Sequence, residues 1–198
     1  AISGAVRIAG IIAVAIIVVL IVIGSAVVVP AGSRGIVLTW GEVTDVRSEG
    51  LSFVIPIMQR VELMDVTIQK AEATESVASQ DLQEVTATIA VNYRLNPSYL
   101  KEIYVNFKQD YKDRIVIPNI DESIKATTAL FRAEELITKR SEVKLEFERI
   151  LKQRLGAFNI EVVSVQIRNY EFSSQFTAAI EAKVTAEQRA LEAKNKLE

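Results

Sequence analysis

The residues best suited to catalysis in this sequence are a serine and a lysine, Ser141 and Lys144, three positions apart in a predicted helix. Residues at that spacing share one helix face. A Ser–Lys hydrolase needs a desolvated lysine of lowered pKa and an oxyanion hole beside the serine. The glutamates around Lys144, among them Glu142 and Glu148, favour its charged form instead. We therefore interpret the pair as charged helix surface.

Adjacent and near-adjacent carboxylates are the second group of candidate sites. The pairs Asp121–Glu122 and Glu134–Glu135 are consecutive, and neighbours on a helix diverge by about 100°. Their side chains therefore do not converge on one metal ion. Asp110 and Asp113 are better spaced, but basic residues alternate with them. We interpret that segment as a salt-bridged loop and keep a cation site as the alternative.

Composition removes most other kinds of active site. The 198 residues include no histidine and no cysteine, which excludes imidazole-dependent triads, thiolate nucleophiles, disulfides and Cys/His zinc sites. The 8 glycines form no phosphate-binding motif. With 23 basic and 25 acidic residues interleaved along it, the chain has no basic face for nucleic acid. We predict no catalytic residue, no cofactor, no metal and no enzymatic activity.

The longest uniform feature of the sequence is apolar. No residue is charged between Arg7 and Arg34. Residues 8–29 would extend about 33 Å as a helix, which matches a hydrocarbon core of roughly 30 Å. The sequence therefore predicts a transmembrane helix over 8–29, after a short N-terminal segment, 1–7. The residues taken to represent the membrane anchor are Ile8, Ile12, Ile16, Leu20, Ile23 and Val27.

Two alternatives to a membrane anchor arise from the same residues. A buried core helix of this length is rare in a small domain. A cleavable signal peptide has some support, since the small residues 24–26 resemble a peptidase site, but the apolar run is longer than a usual signal core. No glycine pair falls at GxxxG spacing, so we expect this helix to tether the chain rather than to drive assembly.

Beyond Pro30 the chain alternates between strand and helix patterns, which predicts an α+β fold. Strands are predicted over 35–40, 51–55, 61–68 and 83–95, helices from Pro97, near Pro118 and after Thr138, and a returning strand over 160–172. We divide this region into a mainly β subdomain, 30–95, and a second subdomain, 96–172, of helices plus the returning strand. Trp40, close to the predicted span, is interpreted as a membrane-interface residue.

The segment 173–198 is predicted to be the start of a long helix and of a coiled coil. Its apolar side is thin, and alanine recurs every four residues from Ala178 to Ala190. Such a row lets neighbouring helices approach closely, while balanced charges select the neighbours. A solvated single helix is the alternative. The predicted oligomer interface consists of Phe176, Ala178, Ile180, Ala182, Val184, Ala186, Ala190 and Leu191.

Five consecutive blocks of this sequence resemble the prohibitin branch of the stomatin–prohibitin–flotillin (SPFH/Band 7) superfamily. The blocks are VPAGSRGIVL (29–38), EGLSFVIPIMQRVELMDVTIQ (49–69), SQDLQEVTATIAVNYRLNP (79–97), IVIPNIDESIKATTALFRAEELITKR (115–140) and FNIEVVSVQIRNYEFSSQFTAAIEAKVTAEQRALEAK (158–194). Together they cover most of the chain after the predicted span. Ser141 departs from the family, where an acidic residue is expected.

The resemblance implies a scaffold rather than a catalyst. Members of this superfamily form large rings or cages of membrane-tethered copies, are linked to membrane microdomains, and regulate membrane-bound AAA-type proteases. It therefore implies a homo-oligomer whose partners are itself, the lipid bilayer and a membrane-anchored AAA-type protease. It also implies a single-pass protein of the cell membrane with its soluble domain on the outer, non-cytoplasmic side. A non-cage regulatory subunit of a membrane protease or transporter is the alternative.

Overall fold

The computed structural model describes residues 2–195 of the chain. Its α-helices are α1 (Ile2–Ser25), α2 (Leu100–Phe107), α3 (Ile117–Thr128), α4 (Ala133–Thr138), α5 (Arg140–Gly156) and α6 (Ser174–Asn195). Its strands are β1 (Ala26–Val29), β2 (Ser33–Thr39), β3 (Glu42–Arg47), β4 (Gly50–Phe53), β5 (Gln59–Asp65), β6 (Gln69–Ala78), β7 (Glu84–Leu95) and β8 (Ile160–Phe172). A 3-10 turn, Pro97–Tyr99, leads into α2, and a π-helical segment, Lys112–Val116, leads into α3. The predicted mixed α/β body and C-terminal helix are confirmed.

The N-terminal helix ends earlier than the sequence indicated. α1 ends at Ser25, and Ala26–Val29 form β1, which pairs antiparallel with β4 so that Val28 lies opposite Leu51. The predicted helix end at residue 29 is therefore corrected, and Val27 lies in a strand. Consecutive β-branched valines favour extended backbone once a partner strand is available.

In the part of the chain that the structure describes, no helix is both long and apolar enough to cross a membrane. Of the residues taken to represent the anchor, Ile12, Ile16 and Ile23 lie in α1 with described side chains. The side chains of Ile8 and Leu20 lie outside the described part of the chain.

The chain forms two compact units, of which the first comprises the residues up to Gln69 with Arg94–Tyr111 and Phe158–Glu161. This unit holds two antiparallel sheets, one of β1 and β4 and one in the order β3–β2–β5. β2 is central in its sheet because its apolar run is buried on both faces, with Ile36 and Val37 at most 1% exposed.

The second unit comprises Lys70–Tyr93, Lys112–Ala157 and the residues from Val162 onward. Its sheet has the order β6–β7–β8, so β7 is the central strand. The buried residues that fit the predicted patterns are Val85, Ala87, Ile89, Val91 and Tyr93 on β7, and Val143, Phe147, Leu151 and Leu155 on α5. The strand predicted over 83–95 and the helix predicted after Thr138 are both confirmed.

The predicted division at residue 95 does not coincide with these two units. β6 and most of β7 belong to the second unit, because β7 lies between β6 and β8 in one sheet. α2 belongs to the first unit, where Leu100 and Ile103 are buried. Asn96 caps the 3-10 turn that leads into α2, since its side chain accepts a 3.0 Å hydrogen bond from the Ser98 N–H.

Candidate membrane and assembly surfaces

The described side chains of α1 leave large apolar groups exposed on every side of the helix. Ile12, Ile16 and Ile23, predicted to contact lipid, are 53%, 55% and 68% exposed. Successive helical positions are rotated by about 100°, so the exposed residues Ile21, Val22 and Ile23 point in three directions. A helix that is apolar all round is typical of burial in a protein core or in a membrane.

The exposed apolar surface continues from α1 onto β1, β4 and two neighbouring loops. We name this continuation the apolar rim and define it as Val28, Trp40, Leu51, Phe53, Ile55 and Ile57. Backbone hydrogen bonds connect its parts: the Val54 N–H donates to the Ser25 carbonyl at 2.8 Å, and the Trp40 N–H to the Met58 carbonyl at 3.0 Å. Exposed apolar patches of this kind mark interaction surfaces.

Two rim residues adopt backbone conformations that L-residues seldom adopt. Trp40 has a φ of 53° and Ile57 a φ of 78°. A positive φ at a bulky or β-branched residue costs about 1–3 kcal/mol and persists only where the surrounding structure holds it. Both side chains are largely exposed, at 74% for Trp40 and 93% for Ile57. Burial within this fold therefore does not offset the strain.

One side of α6 contacts the rest of the second unit. Phe176 and Ile180 are half-buried there, and the Phe176 ring stacks on Phe172 with the ring centroids 5.2 Å apart. The Lys183 ammonium lies 3.0 Å from the Glu134 carboxylate of α4. These two members of the predicted oligomer interface, Phe176 and Ile180, thus pack in part within their own chain.

The alanine row lies on the opposite side of α6. Ala178, Ala182 and Ala186 are exposed, and at 100° per residue they lie roughly 160–240° around the helix from Ile180. Val184 is 45% exposed. The side chains of Ala190 and Leu191 lie outside the described part of the chain. The interface role of these residues stays a prediction.

An apolar groove of about 390 Å³ runs beside α6. Its apolar lining is Leu136, Ile137, Tyr170, Phe172, Phe176 and Ile180, joined by the charged residues Arg140 and Glu181. Burial raises the pKa of Tyr170 to about 12, with Arg140 acting weakly in the opposite direction. The phenol is therefore neutral at physiological pH and contributes an apolar ring to this groove.

Ser141 and Lys144 line a second groove, of about 530 Å³, between α5 and β8. Both side chains are exposed, so Lys144 is not desolvated as a Ser–Lys hydrolase requires. Arg140 and Arg168 line the same groove. The groove therefore presents positive charge and hydrogen-bond donors rather than an activated nucleophile.

The predicted acidic pairs engage basic residues in several places. The ion pairs are Glu134 with Lys183 at 3.0 Å, Glu135 with Lys139 at 2.9 Å and Glu122 with Arg154 at 3.7 Å. Burial, followed by repulsion from Glu75, raises the pKa of Asp121. Asp113 lies in the π-helical segment rather than in a loop. Within residues 2–195, no group of three or more acidic side chains is placed to hold a metal ion.

The sequence profile of the SPFH domain / Band 7 family matches residues 27–198, which is most of the chain. The chain belongs to this family. Among its relatives, Prohibitin-2 of Dictyostelium discoideum is 36% identical over 174 residues, which cover 86% of this chain and 59% of that protein. The predicted resemblance to the prohibitin branch is therefore confirmed.

Two further relatives of this SPFH chain carry mitochondrial names. Prohibitin-7, mitochondrial, of Arabidopsis thaliana is 37% identical over 168 residues, covering 84% of this chain and 60% of that protein. Mitochondrial prohibitin complex protein 1 of Caenorhabditis elegans is 32% identical over 168 residues, covering 84% and 61%. The SPFH chain thus spans between 59% and 61% of the length of these relatives.

Sequence reasoning missed most of the rim of this SPFH chain. The sequence predicts Val28 in a helix, and Leu51 and Ile55 in a strand, without indicating a surface role for them. The only signal was an almost unbroken apolar run over 51–58, which is equally typical of a fully buried strand. In the part of the chain that the structure describes, β4 pairs only with β1, and Val28 and Leu51 on these two strands remain exposed.

Proposed function

We propose that this SPFH protein is a membrane-anchored scaffold that assembles into a large homo-oligomeric ring or cage. In that role it organises a membrane microdomain and regulates the membrane proteins that it encloses, such as an AAA-type protease. One observation carries the proposal, namely the exposed apolar surface that extends from α1 onto the apolar rim. The name of the Caenorhabditis elegans relative, which refers to a prohibitin complex, supports assembly.

Lipid is the environment that best fits this surface. A partner protein covers one side of a helix, whereas the exposed isoleucines and valines of α1 point to all sides. Removing such surface from water is favourable by about 25 cal/mol per Å². The uncharged stretch between Arg7 and Arg34 supports insertion in the same way. Trp40 suits the bilayer surface, because its ring is apolar and its N–H is polar.

The anchor is tested by introducing a charge into α1. Ile16→Lys places an ammonium in the apolar helix, and a central lysine costs about 2.5–3.5 kcal/mol on insertion scales. We expect wild-type protein to remain in the membrane pellet after carbonate washing and the variant to shift toward the soluble fraction. Release of the wild-type protein by carbonate would contradict the anchor.

The rim is tested separately through Trp40, the only tryptophan of the chain. We expect bromine-labelled lipid to quench its fluorescence when the full chain is reconstituted into vesicles. Ile57→Asp should reduce this quenching, because the new carboxylate resists contact with the bilayer. Val105→Asp is the matched control, since Val105 is 60% exposed on α2 and lies outside the rim. If the protein stays in the membrane but Trp40 is not quenched, the result contradicts the rim contact and leaves the anchor standing.

The mass of the detergent-solubilised protein separates this scaffold from a non-cage regulatory subunit. A cage contains many copies of the 21.9 kDa chain, whereas a regulatory subunit forms a small complex with its protease or transporter. We further propose that the soluble part lies on the outer, non-cytoplasmic side, with Arg7 as the local sequence support. Protease added to intact cells should then digest it, and protection until lysis reverses the orientation.

A further inference from the structure

Two grooves of the second unit meet at one arginine. Arg140 lines both the apolar groove beside α6 and the basic groove between α5 and β8. The guanidinium is fixed in place, because it donates a 2.6 Å hydrogen bond to the Ile167 carbonyl. We name the combined surface the bipartite groove. Its apolar half includes Ile137 and Phe176, and its basic half includes Lys144 and Arg168.

Within the described part of the chain, two cations of the basic half lack the ion pairs that several other cations of this unit make. The cations of this unit that make ion pairs include Lys70, Lys125, Arg132, Lys139, Arg149, Lys152, Arg154 and Lys183. Among the described residues, Lys144 and Arg168 form no ion pair, and no carboxylate lines their groove. Glu72, the carboxylate that Arg168 influences, is already paired with Lys70. The groove is therefore complementary to an acidic ligand.

One wall of the basic half is the edge of a sheet. β8 is the last strand in the order β6–β7–β8, and its residues 165–168 line the groove. The Arg140 guanidinium donates a hydrogen bond to the Ile167 carbonyl, in the place of the backbone N–H that a neighbouring strand provides inside a sheet. An extended peptide can align with such an edge while its side chains reach pockets and charges on either side.

We propose that the bipartite groove binds an extended segment of a partner protein in which a large apolar side chain adjoins acidic residues. The apolar side chain enters the half lined by Phe172 and Phe176, and the carboxylates lie against Lys144 and Arg168. An inorganic anion or a lipid headgroup satisfies the cations but leaves the apolar half empty, which favours a peptide. This client site goes beyond the proposed scaffold function and does not depend on assembly.

Fluorescence anisotropy with the full chain in detergent tests the site. The probe is a labelled peptide in which one phenylalanine precedes a run of glutamates, and the control peptides replace either the phenylalanine by alanine or the glutamates by lysines. We expect the probe to bind about tenfold more tightly than either control, because each control removes one half of the complementarity.

Variants of the protein assign the binding to this groove. Reversing both charges with Lys144→Glu and Arg168→Glu should weaken probe binding by about tenfold or more, and the corresponding glutamine variant should weaken it less. Ile137→Asp should reproduce the loss seen with the alanine peptide. Lys152→Glu is the matched control, because it reverses a charge on the same helix outside the groove.

Three results would overturn the proposal. If the acidic and basic peptides bind equally, the groove does not select its ligand by charge. If the Lys144→Glu, Arg168→Glu variant binds the probe as tightly as the wild type, the peptide binds elsewhere. Binding only to chains that have dissociated into single copies means that a neighbouring copy occupies the groove. Light scattering of the same samples reports assembly. A chain that fails to assemble is still expected to bind the probe, so the two proposals fail separately.

Discussion

Two neighbouring threonines of α3 are buried with different hydrogen bonding. Thr127 and Thr128 are 1% and 2% exposed. The Thr128 hydroxyl donates to the Ile124 carbonyl at 2.9 Å, whereas the Thr127 hydroxyl has no partner among the residues that the structure describes. A buried hydroxyl without a partner has lost its hydration without compensation. Thr127 therefore makes the second unit less stable than an apolar residue of the same shape would.

Replacing each threonine by valine distinguishes these two environments. Thr127→Val keeps the side-chain shape and should raise the free energy of unfolding by about 1 kcal/mol. Thr128→Val removes a hydroxyl that has a partner and should lower it by about 0.5–1.5 kcal/mol. Denaturant titration followed by circular dichroism in detergent measures both. An equal gain at the two positions would contradict the assigned hydrogen bonding.

At the scale of single residues, the sequence predicts burial better than it predicts partners. Val85 and Ile89, which alternate with mainly polar residues in the strand predicted over 83–95, are buried. The positive φ of Ile57 was not predictable, since a β-branched residue is expected at negative φ. The convergence of Lys144 and Arg168 was not predictable either, because residues far apart in sequence meet only through the packing of α5 against β8.

Among the elements, strands with strong alternation were the most predictable. β8 runs over Ile160–Phe172, as its pattern indicated. β6 was missed because its buried side carries small alanines, Ala71 and Ala73, which add little to a hydrophobic pattern. That strand forms because β7 offers it a complete hydrogen-bonding edge. Pairing between strands, rather than local pattern, decides such an element.

One carboxylate connects the tip of the β6–β7 hairpin to the start of α4. Asp81 accepts hydrogen bonds from the Ser79 hydroxyl at 2.7 Å and from the Ala133 N–H at 2.9 Å. The Ser79 hydrogen bond, followed by that of Ala133, lowers the pKa of Asp81 from its ordinary 3.8. Both donors stabilise the ionised form, so the connection depends on charge.

The connection at Asp81 predicts a sensitivity to acid. A pKa lowered by folding contributes stability that is present above the unfolded value of 3.8 and is lost as the pH falls through the lower folded value. The melting temperature of the wild type should therefore drop more steeply below pH 3.8 than that of Asp81→Asn. Thermal melts across acidic pH measure the difference. Ser79→Ala removes the hydrogen bond that lowers the pKa of Asp81 most, and it should reduce this difference. Parallel melting curves for wild type and Asp81→Asn would contradict the connection.

For the whole molecule, α6 leaves one side exposed, and part of the predicted oligomer interface lies on that side. One side carries Phe176 and Ile180 against its own unit, and the other carries the exposed alanine row. A contact between two different surfaces of the same chain is head-to-tail. Repeated head-to-tail contacts form a ring when the rotations from copy to copy add up to a full turn. An alanine row that meets a different surface of the next copy is therefore consistent with a ring.

Enlarging the alanine row tests this mode of assembly. Ala182→Leu combined with Ala186→Leu should push neighbouring backbones apart, and overpacking typically costs about 1–3 kcal/mol. Because every copy repeats the contact, we expect a large assembly to separate into small species while the secondary structure is retained. Size-exclusion chromatography with light scattering measures this, alongside circular dichroism.

Gln188→Phe is the matched control for that experiment, because it enlarges an exposed residue of α6 that lies outside both the alanine row and the predicted oligomer interface. It should leave the assembly intact. A double variant as large as the wild type would exclude the alanine row as the interface. If the double variant unfolds, Ala186→Val makes the same test with a smaller increase in volume.

The strained backbone at Ile57 has a consequence for the evolution of the chain. Glycine adopts a φ of 78° without strain, so a glycine here would relieve the local conformational cost. Mutation and drift hold proteins just above the stability that selection requires, and residues that lower stability persist where function benefits. An isoleucine that is 93% exposed in this conformation is a candidate for such a residue. Selection would then maintain Ile57 for the apolar side chain that it exposes, although a single substitution to glycine would relieve the backbone strain.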